Sequence, residues 1–176
     1  KMMRNQRGFT LIEVMVTVMV FSIMAMFIAA IFVRAIELER RTIWSQRVQE
    51  NSTFVLESMA KEIRVSTITQ AVSNCTETSL IMSHPTACSG NPCNVTYSLV
   101  GTNIQRIGSF TSIINSLDVQ FTRLKFCITG TGTNDDQSPK VTILMSLRST
   151  KGSPPISADL ETTVTSRSII TELQNP

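Results

Sequence analysis

The chain has 176 residues, 42% of them hydrophobic and 16% charged, which fits one soluble domain plus an anchor and leaves no room for a second full domain. The formal net charge of +3 hints at an acidic partner only until Lys1, Arg4 and Arg7 are set aside, after which basic and acidic side chains balance at 13 each. That balance gives no support for nucleic-acid or anionic-lipid binding by the whole domain, and one Trp with one Tyr make a poor stacking platform for single strands or sugars.

The basic tail ends at Gly8-Phe9-Thr10-Leu11-Ile12-Glu13-Val14, which opens an apolar run lasting to Val33 with Glu13 as its one charged side chain. At about 1.5 Å per residue this run spans roughly 37 Å, enough to cross a bilayer with some tilt. It exceeds the roughly 7–15-residue core of a secretory signal, and Ala25, Ala29 and Ala30 form no small-x-small cleavage site. The basic tail beside it argues for a cytoplasmic amino terminus with the bulk of the protein outside. Lys1 is not a natural start, so the sequence is expected to begin inside the leader or after a lost initiator, with Met2 and Met3 as candidate starts. A carboxylate within a membrane helix costs roughly 2.5–3.5 kcal/mol even on lenient insertion scales, so Glu13 needs a partner.

These residues resemble the amino terminus of the type IV prepilin superfamily: type IV pilins, type II secretion pseudopilins and competence pseudopilins. The resemblance is close from Arg7 to Val33 and becomes an architectural likeness beyond residue 66. It implies that a membrane peptidase, the prepilin peptidase, cuts between Gly8 and Phe9 and methylates the new amino terminus of Phe9. It also implies that Glu13, fifth after the cut, pairs with the Phe9 amine of a neighbouring subunit during assembly. Physical reasoning agrees, since an amine and a carboxylate buried together neutralise each other whereas each alone is costly. The competing reading is a signal anchor whose glutamate snorkels to the headgroups. Many major type IV pilins carry Gly and Pro in this half of the helix; this run has neither, which leans against a major type IVa pilin.

No glycine lies between Phe9 and Ser89 and no proline precedes Pro85, so one continuous helix is expected through residues 34–66. Val48, Val55, Met59 and Ile63, flanked by Leu56 and Ala60, form an apolar stripe at helical spacing that should pack on a sheet. Leu56-Glu57-Ser58-Met59-Ala60-Lys61-Glu62-Ile63-Arg64 is similar to the end of the long helix in minor pilins and J-type minor pseudopilins. After Ser66 the composition turns to Thr, Ser, Val and Ile, which reads as strands of one largely antiparallel sheet. Strand candidates are Ser79–Met82, Val95–Val100, Asn103–Ile107 and Leu160–Arg167, with Val141, Ile143, Met145 and Leu147 giving the clearest alternation. Val119 and Phe121 share one phase while Leu124, Phe126 and Ile128 take the other, which predicts a β-bulge near Arg123.

All four cysteines, Cys75, Cys88, Cys93 and Cys127, lie in the part placed outside the cytoplasm, where an even number of thiols favours disulfides. Three pairings are possible. The preferred one joins Cys88 to Cys93 locally and Cys75 to Cys127, stiffening an apolar-poor loop over 74–94. A zinc site from His84, Cys88, Cys93 and a further cysteine is the competing reading, although the paired C-x-x-C units of common zinc modules are absent. In the polar loop Gly130–Pro139, Asn134, Asp135 and Asp136 are weak oxygen-ligand candidates for calcium, without EF-hand spacing. Ser153-Pro154-Pro155-Ile156 reads as a second, stiffer surface loop. Asn51, Asn74 and Asn94 lie in N-x-S/T sequons expected to be incidental.

No G-x-S-x-G, H-E-x-x-H, P-loop or Rossmann fingerprint occurs, so neither an enzyme nor a cofactor is implied. The expected fold is α+β and pilin-like: leader 1–8, membrane and polymerisation half 9–33, amphipathic half 34–66, and a sheet domain 67–176. The resemblance implies a structural subunit of a type IV pilus or pilus-like filament. A minor subunit acting in initiation, assembly or at the tip is preferred over a type II secretion pseudopilin or a major pilin. Implied partners are other pilin or pseudopilin subunits, the prepilin peptidase and an inner-membrane assembly platform, with the subunit held in the inner membrane before it enters a filament. Two other classes compete. One is an adhesion or DNA-uptake module, which requires Arg106, Arg123, Lys125 and Arg148 to converge into a basic patch; the other is a bitopic membrane sensor or anchored hydrolase.

Overall fold

A computed structural model describes residues 8–131 and 138–166 of the chain. Among these residues, helix α1 runs from Leu11 to Val65 and is followed by nine strands. The chain divides after Thr42 into two units, and α1 contributes to both.

In the first unit, Thr10 caps the helix: the Glu13 backbone N–H donates to Thr10 Oγ1 at 3.4 Å and to Thr10 O at 3.1 Å. Thr10-Leu11-Ile12-Glu13 thus has the T-x-x-E spacing of a capping box and puts a carboxylate in the first turn, where the helix dipole favours negative charge. The apolar side chains that follow are exposed all round, from Leu11 to Val33. Polar groups among them bond within the helix: Thr17 Oγ1 donates to Val14 O at 2.9 Å and Ser22 Oγ to Val18 O at 2.7 Å. A helix that is apolar on every face with its hydroxyls satisfied internally is suited to hydrocarbon rather than water, and α1 is long and apolar enough to cross a membrane.

In the second unit, α1 switches to a one-sided pattern, burying Val48, Ser52, Val55, Met59 and Ile63. The strands are β1 (Thr67–Ile68), β2 (Ser73–Glu77), β3 (Ser79–Cys88), β4 (Asn91–Val100), β5 (Asn103–Ile107), β6 (Thr111–Ile113), β7 (Val119–Thr129), β8 (Lys140–Ser149) and β9 (Ser157–Thr165). They form two antiparallel sheets where a single sheet was expected, a five-stranded one in the order β1-β3-β4-β5-β6 and a four-stranded one in the order β2-β7-β8-β9. The inner faces of both sheets contribute to one core with the helix stripe: Leu80, Met82, Val95, Tyr97 and Ile104 from the first, Phe121, Phe126, Ile128, Ile143, Met145 and Leu147 from the second. In the β7–β8 ladder Phe121 faces Leu147 and Arg123 faces Ser146, so Thr122 is the extra residue of a bulge and the apolar phase changes across it.

Residues 74–94, expected to be an irregular loop, are mostly strand. β3 and β4 extend past their buried halves into a hairpin whose tip, Ser89-Gly90, has φ of 51° and 86°. Positive φ at both positions is the type I′ geometry that matches strand twist, so ladder hydrogen bonds order a segment that apolar burial alone would not. Polar side chains join the elements elsewhere. Asn51 Oδ1 on α1 accepts from Ser116 N at 3.0 Å, and Asn115 Oδ1 accepts from Ile104 N at 2.8 Å. Gln70 bridges to β3 by accepting from Ile81 N and donating to Ser79 O.

Truncating Phe126, fully buried in this core, to alanine is expected to cost about 3–5 kcal/mol in urea unfolding, whereas Leu117→Ala, at a side chain 90% exposed, is expected to stay within about 0.5 kcal/mol of wild type.

Candidate functional site

The first set of candidate residues sits at the amino end of α1. Gly8 precedes the helix, and a Cβ added there meets nothing within 4 Å, so packing among the described residues does not require glycine at this position. Phe9 is 81% exposed, and Glu13 lies in the first turn among exposed apolar neighbours. The Thr10 cap uses the backbone N–H of Glu13 and not its carboxylate, a local bond that the reading from charge alone passed over.

The four cysteines are joined as Cys75–Cys127 and Cys88–Cys93, at sequence separations of 52 and 5. The local bridge crosses the end of the β3–β4 hairpin, and the long one ties β2 to β7. His84 lies on β3, where its Nδ1 accepts the Thr86 backbone N–H at 3.2 Å, and the sulfurs of Cys88 and Cys93 are bonded to each other rather than directed at it. The calcium candidates Asn134, Asp135 and Asp136 lie outside the described residues.

The four basic residues that a nucleic-acid reading needs together are divided. Arg106 is on the five-stranded sheet, while Arg123, Lys125 and Arg148 are on the four-stranded one. Arg123 Nη2 lies 3.6 Å from Asp159, and Arg148 donates to Gln120 Oε1. The outer face they occupy also carries Asp159 and Glu161 of β9, giving mixed charge rather than a basic surface.

Arg106 instead belongs to a polar cluster that sequence reasoning missed. Glu62, on the rim of the buried helix stripe, accepts from Arg106 Nε at 2.9 Å, pairs with Arg106 Nη2 at 2.9 Å, and accepts from Tyr97 Oη at 2.9 Å. The two charged side chains are only 14% and 21% exposed, and the Tyr97 residue is fully buried. The hydrogen bond to Glu62 holds the Arg106 pKa above its ordinary value. Burial first and the Glu62 charge second push the Tyr97 phenol well above its usual range. Three elements, α1, β4 and β5, are thereby fixed to one another by charge-assisted bonds. The sequence signal was an acidic residue beside the apolar stripe at Ile63; its partners lie 35 and 44 residues away and no local pattern announces them.

Because Tyr97 is the one tyrosine, tyrosinate absorbance reports it directly. The native protein is expected to show none as pH passes 10, while the unfolded chain titrates near about pH 10. The native state then holds a proton that the unfolded state has released, so stability is fully present below about pH 10 and falls as pH rises above it. Glu62→Ala is expected to destabilise by roughly 2–3 kcal/mol in urea unfolding, because it strands a guanidinium and a phenol that have little access to water.

Residues 3–32 match the family model of the prokaryotic N-terminal methylation motif. No curated protein and no solved structure matches the chain. The match covers the Gly8, Phe9 and Glu13 segment together with most of the exposed apolar half of α1. The amino-terminal segment is accordingly a type IV prepilin-like class III signal, which supports a membrane-anchored pilin-like or pseudopilin-like subunit.

Proposed function

We propose that this chain is a structural subunit of a type IV pilus or pilus-like filament, a minor subunit that acts in initiation, assembly or at the tip. The observation that carries the reading is the methylation motif coinciding with the apolar segment Phe9–Val33, whose side chains are exposed throughout and whose one charge is Glu13. An apolar surface of that extent is unstable in water and is satisfied by lipid or by identical surfaces of neighbouring subunits. In this reading the prepilin peptidase cleaves after Gly8, the new Phe9 amine is methylated, and the subunit waits in the inner membrane with its amino terminus cytoplasmic. An assembly platform then moves it into a filament through α1, presenting the two-sheet domain outside. Glu13 pairs with the Phe9 amine of a neighbour, which rewards one axial register over its alternatives. A minor role is favoured by the Leu56–Arg64 likeness and by the absence of Gly and Pro from Phe9–Val33. The role is assembly itself rather than catalysis.

Intact-mass spectrometry of protein from cells with and without the prepilin peptidase tests the processing. The expected product is a peptidase-dependent form beginning at N-methyl Phe9, and a leader that stays on in both strains would sink the proposal. Two variants separate the roles of the first turn. Glu13→Gln retains the Thr10 cap, which uses the backbone N–H of residue 13, and removes the charge; it is expected to lower filament incorporation at least about tenfold while the domain folds normally. Thr10→Val keeps the charge and loses the cap; it is expected to fray the first turn at a cost of about 1 kcal/mol and to retain most incorporation.

A further inference from the structure

β1 and β3 are neighbours in the five-stranded sheet, yet β2, which lies between them in sequence, is an edge strand of the other sheet. The chain leaves one sheet, touches β7 and returns. What holds it there is unusual for a strand. Ser73, Asn74, Thr76 and Glu77 bring no apolar side chain, the middle three residues of β2 are exposed, and none of its residues belongs to the core cluster. The ladder is interrupted, with Ser73 opposite Ile128 and Glu77 opposite Phe126, so three residues of β2 span one residue of β7. That residue is Cys127, and the middle one of the three is Cys75, whose φ of 59° is a left-handed conformation rarely adopted by a non-glycine residue. Among the described residues, the side-chain bond that reaches across beyond the disulfide is Ser73 Oγ to Phe126 O at 3.4 Å. β7, by contrast, is held on its other side by an extended register with β8 and carries Phe121, Leu124, Phe126 and Ile128 in the core.

We infer that the Cys75–Cys127 disulfide is a redox catch: in the oxidised chain it straps β2 over the edge of β7, and in the dithiol form β2 leaves and the β7 edge is open to strand pairing. Two electrons and two protons from an external dithiol break the Sγ–Sγ bond and leave two thiols, while the dithiol closes to its own disulfide. Without the crosslink, an interrupted ladder and a polar, exposed strand do not offset the chain entropy of keeping β2 in place and the strain at Cys75. β7 stays put because its burial and its β8 ladder are independent of the bond. The edge uncovered at Phe126-Cys127-Ile128 lies in one of the most apolar strands of the domain, the kind of edge that recruits a further strand. Oxidation therefore completes the sheet rather than merely stiffening it.

The test is hydrogen exchange on the full chain in detergent before and after a dithiol reductant. It uses the Cys88→Ser/Cys93→Ser double variant, so that Cys75–Cys127 is the one disulfide, with thiol release verified by alkylation mass. The expected result is faster exchange, by at least about tenfold, at β2 amides and at the β7 amides directed toward β2, with β8 and β9 unchanged. Cys75→Ser in the otherwise unaltered chain is expected to reproduce the reduced pattern without reductant. Undiminished β2 protection after reduction would overturn the inference, because the ladder alone would then suffice. Loss of protection across the whole four-stranded sheet would overturn it equally, since the bond would then be a global staple and not a local catch.

Discussion

Val48, Val55, Met59 and Ile63, one face of α1 in the second unit, form the surface on which both sheets close. Both sheets share one core with it. Tyr97, Leu80 and Ile104 reach the shared core from one, and Phe121, Phe126 and Ile143 from the other. Burial of such side chains contributes about 1.5–3 kcal/mol each, which makes a helical stripe the cheapest common partner for two half-apolar sheets. Non-directional burial leaves the angular placement of the helix loosely specified, and the Glu62 pairings to Arg106 and Tyr97 supply direction. Those charges are tolerable in so dry a setting because each of the three polar groups has a partner at about hydrogen-bond length.

The same helix solves a different problem over its first half, where apolar residues face outward on every side. There the hydroxyls of Thr17 and Ser22 bond back to helix carbonyls, and Thr10 caps the first turn at the Glu13 N–H. Among the described residues the Glu13 charge itself has no ion-pair partner. A lone carboxylate in such a surface is a specific liability, and the proposed pairing with a methylated amine from another subunit turns that liability into a selector of register. The two-sheet domain meets different demands: mixed charge on its outer faces, polar pairs such as Arg123 with Asp159, and strand edges closed by crosslinks rather than by bulk.

Which features were legible in the sequence follows from the range over which each is encoded. The helix, its change from all-round to one-sided apolarity, the Val48–Ile63 stripe, the alternation of β8 and the phase change at Thr122 are periodic and local, so they could be read directly from residue spacing. The methylation motif is local as well, with Gly8 and Glu13 five residues apart in the chain. The tertiary structure decided the rest. Division of the strands into two sheets depends on β2 leaving its sequence neighbours, and the ordering of residues 74–94 depends on a ladder with no apolar signature. Strand register selected one of three cysteine pairings, and the separation of Arg106 from Arg123, Lys125 and Arg148 placed them on different sheets. Glu62, Tyr97 and Arg106 meet only once helix and sheet have packed, since residues far apart in the chain share no periodicity. Short-range pattern specifies elements, whereas their partners are chosen by burial and pairing over long loops, and those long-range choices made the polar cluster and the strapped edge.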